Sequence, residues 1–170
     1  MSTDDRQAFG DLLQRHRGIV FKIANAYARD VEDRDDLAQE IAVQLWRAWP
    51  SYDPARRFST WMYRIALNVA ISFLRSDGQR RRHAVPLDEA VHDMADDDGI
   101  DHETIARLRM LHRFIATLEP LNRALLLLYL DEHSTREMAE VLGISESNVT
   151  TKISRLKQRI RDHVAPPGNE

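Results

Sequence analysis

The chain has 170 residues, of which 43% are hydrophobic and 30% charged, a composition typical of folded globular proteins. This length allows one ordinary domain or two small ones. Its longest apolar run, Ala124–Leu130, has seven residues, whereas a membrane span needs about 18–20. We therefore expect no membrane insertion. The lack of cysteine excludes disulfides and thiolate metal sites, and the polar first residues are unlike a signal peptide, so a cytoplasmic protein is favoured.

The net charge of −3 is unevenly distributed. Residues 1–78 hold 11 basic and 11 acidic side chains, residues 79–104 hold 3 and 8, and residues 105–170 hold 10 and 8. Five cations of the last segment lie between Lys152 and Arg161. Because salt screens charges beyond about 8–10 Å, this local cluster matters more than the average, and nucleic-acid binding is not excluded.

Apolar residues recur with helical spacing throughout, without the sustained two-residue alternation of strands. We predict an all-α protein with two small helical domains, residues 1–78 and 104–165. An acidic flexible linker, residues 79–103, joins them, and a short tail, residues 166–170, follows. The linker is interpreted either as a plain tether or as a nucleic-acid mimic.

Four helices are predicted in the first domain: Asp4–Gln14, Ile19–Ala28, Asp33–Trp49 and Ser59–Arg75. In the third, an apolar residue recurs every four positions, which predicts one buried face made of Leu37, Ile41, Leu45 and Trp49. Three aspartates, Asp33, Asp35 and Asp36, are expected to cap its start. In the fourth, one face is predicted to hold Trp61, Ile65, Val69 (or Asn68) and Ser72, and an adjoining face to hold Met62, Ala66 and Phe73.

The second domain is predicted to contain helices at Thr104–Leu118, at Pro120–Leu130, after Ser134, and at Glu146–His163. Ser134 and Glu137 have the spacing of a capping box. Gly143 follows the short helix as a left-handed turn residue, and Ser145 is placed to cap the last helix. Two helices with such a turn form a helix-turn-helix, whose second helix enters a DNA major groove.

The last helix is expected to bury Val149, Ile153, Leu156 and Ile160. Its other face carries donors and cations suited to base edges and phosphates. These candidate DNA-binding residues are Ser147, Asn148, Thr150, Thr151, Lys152, Arg155 and Arg159. The alternative is the solvated face of an ordinary helical hairpin.

Several stretches have the pattern of a known family. In the first domain these are Asp36-Leu-Ala-Gln-Glu40, Leu45-Trp-Arg-Ala48, Phe58-Ser-Thr-Trp-Met-Tyr-Arg-Ile-Ala66 and Asn68. In the second they are Leu118-Glu-Pro120 through Leu130, Glu137-Met-Ala139, Leu142-Gly-Ile-Ser145 and Val149. Together they resemble sigma factors of the extracytoplasmic-function type, group 4 of the sigma-70 family. The resemblance covers about residues 8–76 and 104–163, and the two blocks match sigma domains 2 and 4 in the family's order.

The resemblance implies a factor that binds core RNA polymerase and promoter DNA, is commonly held by an anti-sigma factor, and has no enzymatic activity, metal or cofactor. Polymerase docking is implied for Asp36, Gln39 and Glu40. Recognition and melting of the −10 element are implied for Tyr52, Arg56, Arg57, Phe58, Trp61, Arg64, Asn68 and Arg75. The last helix matches the −35 reader, although its Asn148-Val-Thr-Thr-Lys-Ile stretch departs from the family pattern.

Each of these roles has an alternative. Core packing is favoured for Trp61, so Phe58 and Arg57, expected in a loop, are the better candidates for base capture. Asn68 suits either a DNA contact or a buried hydrogen bond between helices. The docking residues also fit an ordinary solvated helix start. For the whole chain, the rival readings are a helix-turn-helix regulator without sigma activity and a metal-dependent hydrolase or sensor built on the Asp- and His-containing linker.

Overall fold

The computed structural model describes residues 2–77 and 101–164, and these form helices connected by short turns. The described helices are α1 (Thr3–Arg15), α2 (Arg17–Tyr27), α3 (Val31–Ala48), α4 (Phe58–Asp77), α5 (His102–Thr117), α6 (Pro120–Leu130), α7 (Thr135–Leu142) and α8 (Glu146–Val164). A single 3₁₀ turn, Trp49–Ser51, follows α3. No strand occurs within the described ranges, and the all-α prediction is confirmed. Residues 79–100 of the predicted linker and the predicted tail lie outside the described residues.

Residue contacts group the chain into two compact units, residues 1–120 and 121–170. Helix α5, which the sequence assigns to the start of the second domain, packs against α2 in the first unit. At the end of that unit, the Tyr27 hydroxyl donates a hydrogen bond of 2.7 Å to the carbonyl of Pro120. The compact units and the sequence-based domains thus divide the chain at different points.

Helices α2, α3 and α4 pack together and form the core of the first unit. Its largest fully buried side chains are Ile23, Tyr27, Leu37, Ile41, Leu45, Met62, Tyr63 and Leu67. The buried face predicted for α3 is therefore confirmed at Leu37, Ile41 and Leu45, whereas Trp49 is half-buried and lies in the 3₁₀ turn after the helix. Of the two adjoining faces predicted for α4, one is fully buried at Met62 and Ala66, whereas Trp61, Ile65 and Val69 on the other are only half-buried.

Two helix starts differ from the prediction. The side chain of Asp30 caps α3 by accepting a hydrogen bond of 2.8 Å from the amide of Asp33. Asp33 itself is buried, so the helix begins earlier than the aspartate cluster suggested. Helix α1 begins with an unforeseen capping box, in which Ser2 and Asp5 each accept a hydrogen bond from the other's amide.

The second unit contains the expected helix-turn-helix. The Ser134 hydroxyl accepts from the amide of Glu137, and the Glu137 carboxylate lies 2.9 Å from Nδ1 of His133. Gly143 ends α7 with a φ of +68°, and its amide and that of Ile144 both donate to the carbonyl of Ala139. The Ser145 hydroxyl then caps α8 by accepting from the amide of Asn148 at 3.1 Å.

Candidate functional site

Four of the candidate −10 residues share one face of α4, which we call the α4 stripe. Arg64, Asn68 and Arg75 are exposed, and Trp61 at the head of the stripe is half-buried. Their spacing of three, four and seven residues places them on one side of the helix, over a length of about 21 Å at 1.5 Å per residue. The exposure of Asn68 removes the alternative of a buried hydrogen bond between helices.

Trp61 also belongs to an aromatic cluster, defined by Phe9, Trp46, Trp49, Tyr52, Phe58 and Trp61. Trp49 and Tyr52 are stacked at 5.2 Å between ring centroids, and Tyr52 lies 5.1 Å from Trp61. The cluster draws on α1, the end of α3 and the start of α4, which are distant in sequence. It supports the head of the α4 stripe with an apolar platform.

The structure corrects the placement of Phe58. It is the first residue of α4 rather than part of the loop, and its side chain is only 6% exposed. Phe58 packs 5.4 Å from Trp61 and 5.1 Å from the ring of His16, so stacking on a base requires the cluster to open. Trp61 is the more accessible of the two rings, which reverses the expected ranking. Tyr63 is fully buried, and Lys22 Nζ lies 3.5 Å from its hydroxyl.

The loop before α4 is held by its own hydrogen bonds. The Tyr52 hydroxyl donates to the carbonyl of Arg56 at 2.9 Å. The Asp53 carboxylate accepts from the amide of Ala55 at 3.0 Å, and the Asp53 carbonyl accepts from the amide of Arg56. This ordered turn presents the exposed Arg56 and Arg57 beside the aromatic cluster.

The candidate docking residues Asp36, Gln39 and Glu40 are exposed on one face of α3. Gln44 holds the Glu40 carboxylate with a hydrogen bond of 2.8 Å. The same face continues at helical spacing to Val43, a valine that is 37% exposed, and to Arg47. Sequence reasoning missed Val43, although it follows Asp36 by seven residues, a spacing that places both side chains on the same face of a helix.

An open groove of about 660 Å³ separates the docking face of α3 from the α4 stripe. Its floor is apolar, and its rim includes Glu40 from one candidate surface and Asn68 from the other. The residues lining it are Glu40, Gln44, Ala48, Ile65, Asn68, Val69, Ser72, Phe73 and Ser76. The two candidate surfaces of the first unit are thus neighbours across one groove.

In the second unit, Asn148, Lys152, Arg155 and Arg159 share one face of α8, which we call the α8 stripe. The three cations follow Asn148 by four, seven and eleven residues, which places all four side chains on one side of the helix. This side adjoins the buried face of Val149, Ile153 and Leu156. Asn148, Arg155 and Arg159 are exposed and Lys152 is half-buried. The structure therefore brings four of the seven candidate −35 residues into one line.

The remaining three candidates lie beside the α8 stripe or across the helix from it. Ser147 and Thr151 adjoin it on the exposed side, whereas Thr150 lies on the opposite flank. The Thr151 hydroxyl donates to the carbonyl of Ser147 at 3.1 Å, and the Thr150 hydroxyl donates to that of Glu146 at 3.0 Å. Both hydroxyls have therefore used their proton within α8, which leaves Thr151 an acceptor oxygen and a methyl group.

The other two cations of α8 have partners. Lys157 Nζ lies 4.9 Å from the centre of the Tyr129 ring. Arg161 donates to the side-chain carbonyl of Gln158 at 2.8 Å. The basic segment thus divides into two engaged cations and the three cations of the α8 stripe.

Two titratable groups on or beside α5 depart from their ordinary behaviour. Hydrogen bonds from the Thr104 side chain and amide lower the pKa of Asp101, the N-cap of α5. Burial lowers the pKa of His112.

No group of three or more metal-binding side chains occurs among the described residues, and the linker residues His83 and His92 lie outside them. No described helix has the length and apolarity to cross a membrane.

Two family models, for two regions of sigma-70, match the chain. The sigma-70 region 2 model matches residues 12–81. The sigma-70 region 4 model matches residues 108–160. Among curated relatives, the ECF RNA polymerase sigma factor SigW of Bacillus subtilis is 26% identical, over 92% of this chain and 89% of its own.

Solved structures show the same likeness. CnrH, solved in complex with the cytosolic domain of CnrY, is 27% identical with a TM-score of 0.64, covering 92% of this chain and 87% of its own. RpoE of Bartonella quintana, solved with the anti-sigma factor NepR, has a TM-score of 0.68 over 97% of this chain and 100% of its own. At 17% identity, the second likeness concerns the fold alone.

Proposed function

The chain belongs to the extracytoplasmic-function group of the sigma-70 family and directs promoter-specific transcription, and we propose that it does so through three surfaces of its own. The α3 face docks on core RNA polymerase, the α4 stripe engages the −10 element, and the α8 stripe binds the −35 element. Residues 1–78 act as sigma domain 2, residues 104–165 as sigma domain 4, and the segment between them as the linker.

The observation that carries the −10 assignment is the pairing of the α4 stripe with the aromatic cluster. A protein that holds separated DNA strands needs flat apolar surfaces for unstacked bases and cations for the backbone. Trp61 offers an accessible ring edge, and Arg64 and Arg75 follow it on the same face. Arg56 and Arg57 extend the positive surface from an ordered loop, and Asn68 adds a side-chain amide.

Docking on polymerase is supported by the exposed polar face of α3. Asp36, Gln39 and Glu40 are accessible, and none of them is needed to fill the core. Val43 adds an apolar contact within the same face, in keeping with interfaces that combine a small apolar centre with a polar rim. Charge reversal at Glu40 is expected to weaken core binding while leaving the melting temperature nearly unchanged.

Binding of the −35 element is supported by the helix-turn-helix geometry. The first turn of α8 presents Asn148, whose amide can make paired hydrogen bonds to a base edge, and the following cations suit phosphates. Because the Thr151 hydroxyl has donated its proton within the helix, we assign it an acceptor or methyl contact.

Run-off transcription with purified core RNA polymerase tests the proposal. Genomic fragments enriched by the holoenzyme should yield discrete transcripts that require this chain. Arg64→Ala combined with Asn68→Ala should reduce their yield at least tenfold, while Arg15→Ala, which removes an exposed cation of α1, should not. If no fragment supports a specific transcript, the proposed function is wrong.

The rival reading, a helix-turn-helix regulator, makes the opposite prediction in a gel-shift assay. A regulator binds the naked promoter without polymerase, whereas a sigma factor with divided surfaces gains tight, specific binding only in the holoenzyme. Specific nanomolar binding of the free chain, unaltered by core polymerase, would favour the regulator.

We propose three further properties on the same basis. The chain works in the cytoplasm, where polymerase and chromosomal DNA meet, and performs no catalytic step of its own. An anti-sigma protein sequesters it, as the family resemblance implies and in keeping with CnrH, which was solved in complex with the cytosolic domain of CnrY. Co-purification of the tagged chain from its own cells tests for such a partner.

A further inference from the structure

A small cavity of about 130 Å³ lies between α6 and α8 in the second unit. It is lined by Asn122 of α6 and by Lys152, Arg155, Leu156 and Arg159 of α8. Since a water molecule occupies about 30 Å³ in the liquid, the cavity has room for roughly four. It therefore suits one small group and is too small for a nucleotide or a peptide side chain with its backbone.

The cavity is strongly positive. Three of its five lining residues are cations of the α8 stripe, and within the described part of the chain none of the three has an ion-pair partner. Lys157 and Arg161, on other sides of the same helix, are engaged with Tyr129 and Gln158. Like charges gathered around one space repel one another, so an anion placed there lowers the electrostatic energy of all three.

Asn122 gives the cavity a donor from a second helix. It lies in the first turn of α6, where the positive end of the helix dipole also favours an anion. Its side-chain amide carries two N–H donors. Because Asn122 is 30 residues before Lys152 in the chain, inspection of α8 alone does not reveal it.

We propose that this cavity seats one phosphate group of the promoter DNA backbone, with Asn122 donating to a phosphate oxygen and the three cations neutralising its charge. The inference rests on the proposed −35 binding and adds to it a single defined phosphate and a residue outside the helix-turn-helix. A phosphate held from two helices fixes how far α8 is inserted in the groove. Asn148, one turn or about 6 Å along the axis from Lys152, then meets a base edge at a fixed height.

The experiment combines a protein variant with a DNA variant. Dissociation constants are measured for the holoenzyme on an enriched promoter fragment in which each phosphate around the −35 element is replaced, one at a time, by a neutral methylphosphonate. For the wild-type chain, one position should weaken binding about 10-fold, as expected for loss of charge-assisted hydrogen bonds.

Asn122→Ala should weaken binding of unmodified DNA by a similar factor but add little further loss at that one position, because the contact is already gone. Gln158→Ala, which removes an amide bonded to Asp162 elsewhere on α8, should retain the full penalty there. Asn122→Ser serves as a second truncation, since serine is well tolerated near a helix start. Melting temperatures confirm that each variant is folded.

The salt dependence separates the amide from the cations. Arg159→Ala should lower the slope of log K against log salt by less than about one unit, since two cations still face the same phosphate, whereas Asn122→Ala should lower affinity without changing the slope, because a neutral donor releases no counterion. If folded Asn122 variants bind every methylphosphonate fragment with the wild-type pattern, the phosphate seat is wrong while −35 binding stands. If the wild-type holoenzyme binds no promoter specifically, the proposed function itself fails.

Discussion

The α4 stripe and the α8 stripe carry similar side chains on different supports. Each combines an asparagine with exposed cations at helical spacing. The α4 stripe begins on an aromatic cluster assembled from α1, α3 and α4, and next to a loop fixed by the Tyr52 and Asp53 hydrogen bonds. The α8 stripe rests on aliphatic residues and on a left-handed glycine turn.

This difference follows the two forms of DNA that we propose the surfaces meet. Unstacked bases need flat aromatic partners, which only a platform such as the aromatic cluster supplies. A duplex offers phosphates and base edges at fixed positions, so a helix held at the correct angle is sufficient. The first support is a matter of side-chain packing and the second of backbone geometry, and each can be removed separately.

The largest expected effect comes from breaking the aromatic support. Phe58→Ala should destabilise the first unit by about 3–5 kcal/mol, the usual cost of truncating a buried phenylalanine. Phe21→Ala removes the same atoms from a side chain that is 53% exposed, and should change stability by less than about 0.5 kcal/mol. Urea titration followed by tryptophan fluorescence measures both. Equal losses would mean that the cluster does not stabilise the unit.

Breaking the turn in the second unit should have a smaller effect. Gly143→Ala forces a Cβ into left-handed backbone, which costs about 1–2 kcal/mol. A Cβ there would meet no atom within 4 Å, so the backbone carries the whole penalty. Gly10→Ala in α1 is the matched control, because its Cβ also has open space, and the higher helix propensity of alanine should add about 0.5–1 kcal/mol. A neutral Gly143→Ala would contradict the turn's role in setting α8.

Removing one cation from each stripe should affect two different steps, promoter binding for the α8 stripe and promoter opening for the α4 stripe. Arg155→Ala should weaken the initial complex severalfold and lower its salt slope by less than about one unit. Arg64→Ala should leave initial binding nearly intact and reduce permanganate reactivity of −10 thymines, because it acts on the separated strands. If both variants affected binding and opening equally, the proposed division between the two units would be wrong.

The sequence predicted well whatever depends on local signals. Helix α6 begins and ends where Pro120 and Leu130 suggested, and Gly143 takes the left-handed conformation. These features need only a few neighbouring residues, and their physical causes, a fixed proline φ and a missing Cβ, act within one turn. The buried face of α3 was equally readable, because its apolar residues recur every four positions.

What failed depends on contacts between distant segments. Phe58 is buried because the ring of His16, which follows α1, and the ring of Trp49, in the 3₁₀ turn after α3, converge on it, which no local pattern indicates. Asp30 rather than Asp33 caps α3, since a row of aspartates offers several equivalent starts. Asn122 escaped notice because its place beside α8 is a tertiary fact. Sequence alone therefore located the helices carrying both stripes and the glycine turn that supports the α8 stripe, but not the aromatic cluster that supports the α4 stripe.

The smallest expected effect concerns pH and the first unit, to which α5 belongs. Burial lowers the pKa of His112, so the imidazole is protonated less readily in the folded chain than in the unfolded chain. In the unfolded chain, the pKa of histidine is about 6.5. The stability contributed by neutral His112 is complete above that pH and is lost as the pH falls through the lowered folded-state value.

His112→Gln removes the proton linkage, so the wild-type chain should lose more stability than the variant between pH 7.5 and 5.5. The same substitution at exposed His102 of α5 controls for loss of an imidazole as such. Parallel acid profiles for the wild-type chain and His112→Gln in urea titrations would show that His112 does not make the first unit acid-sensitive.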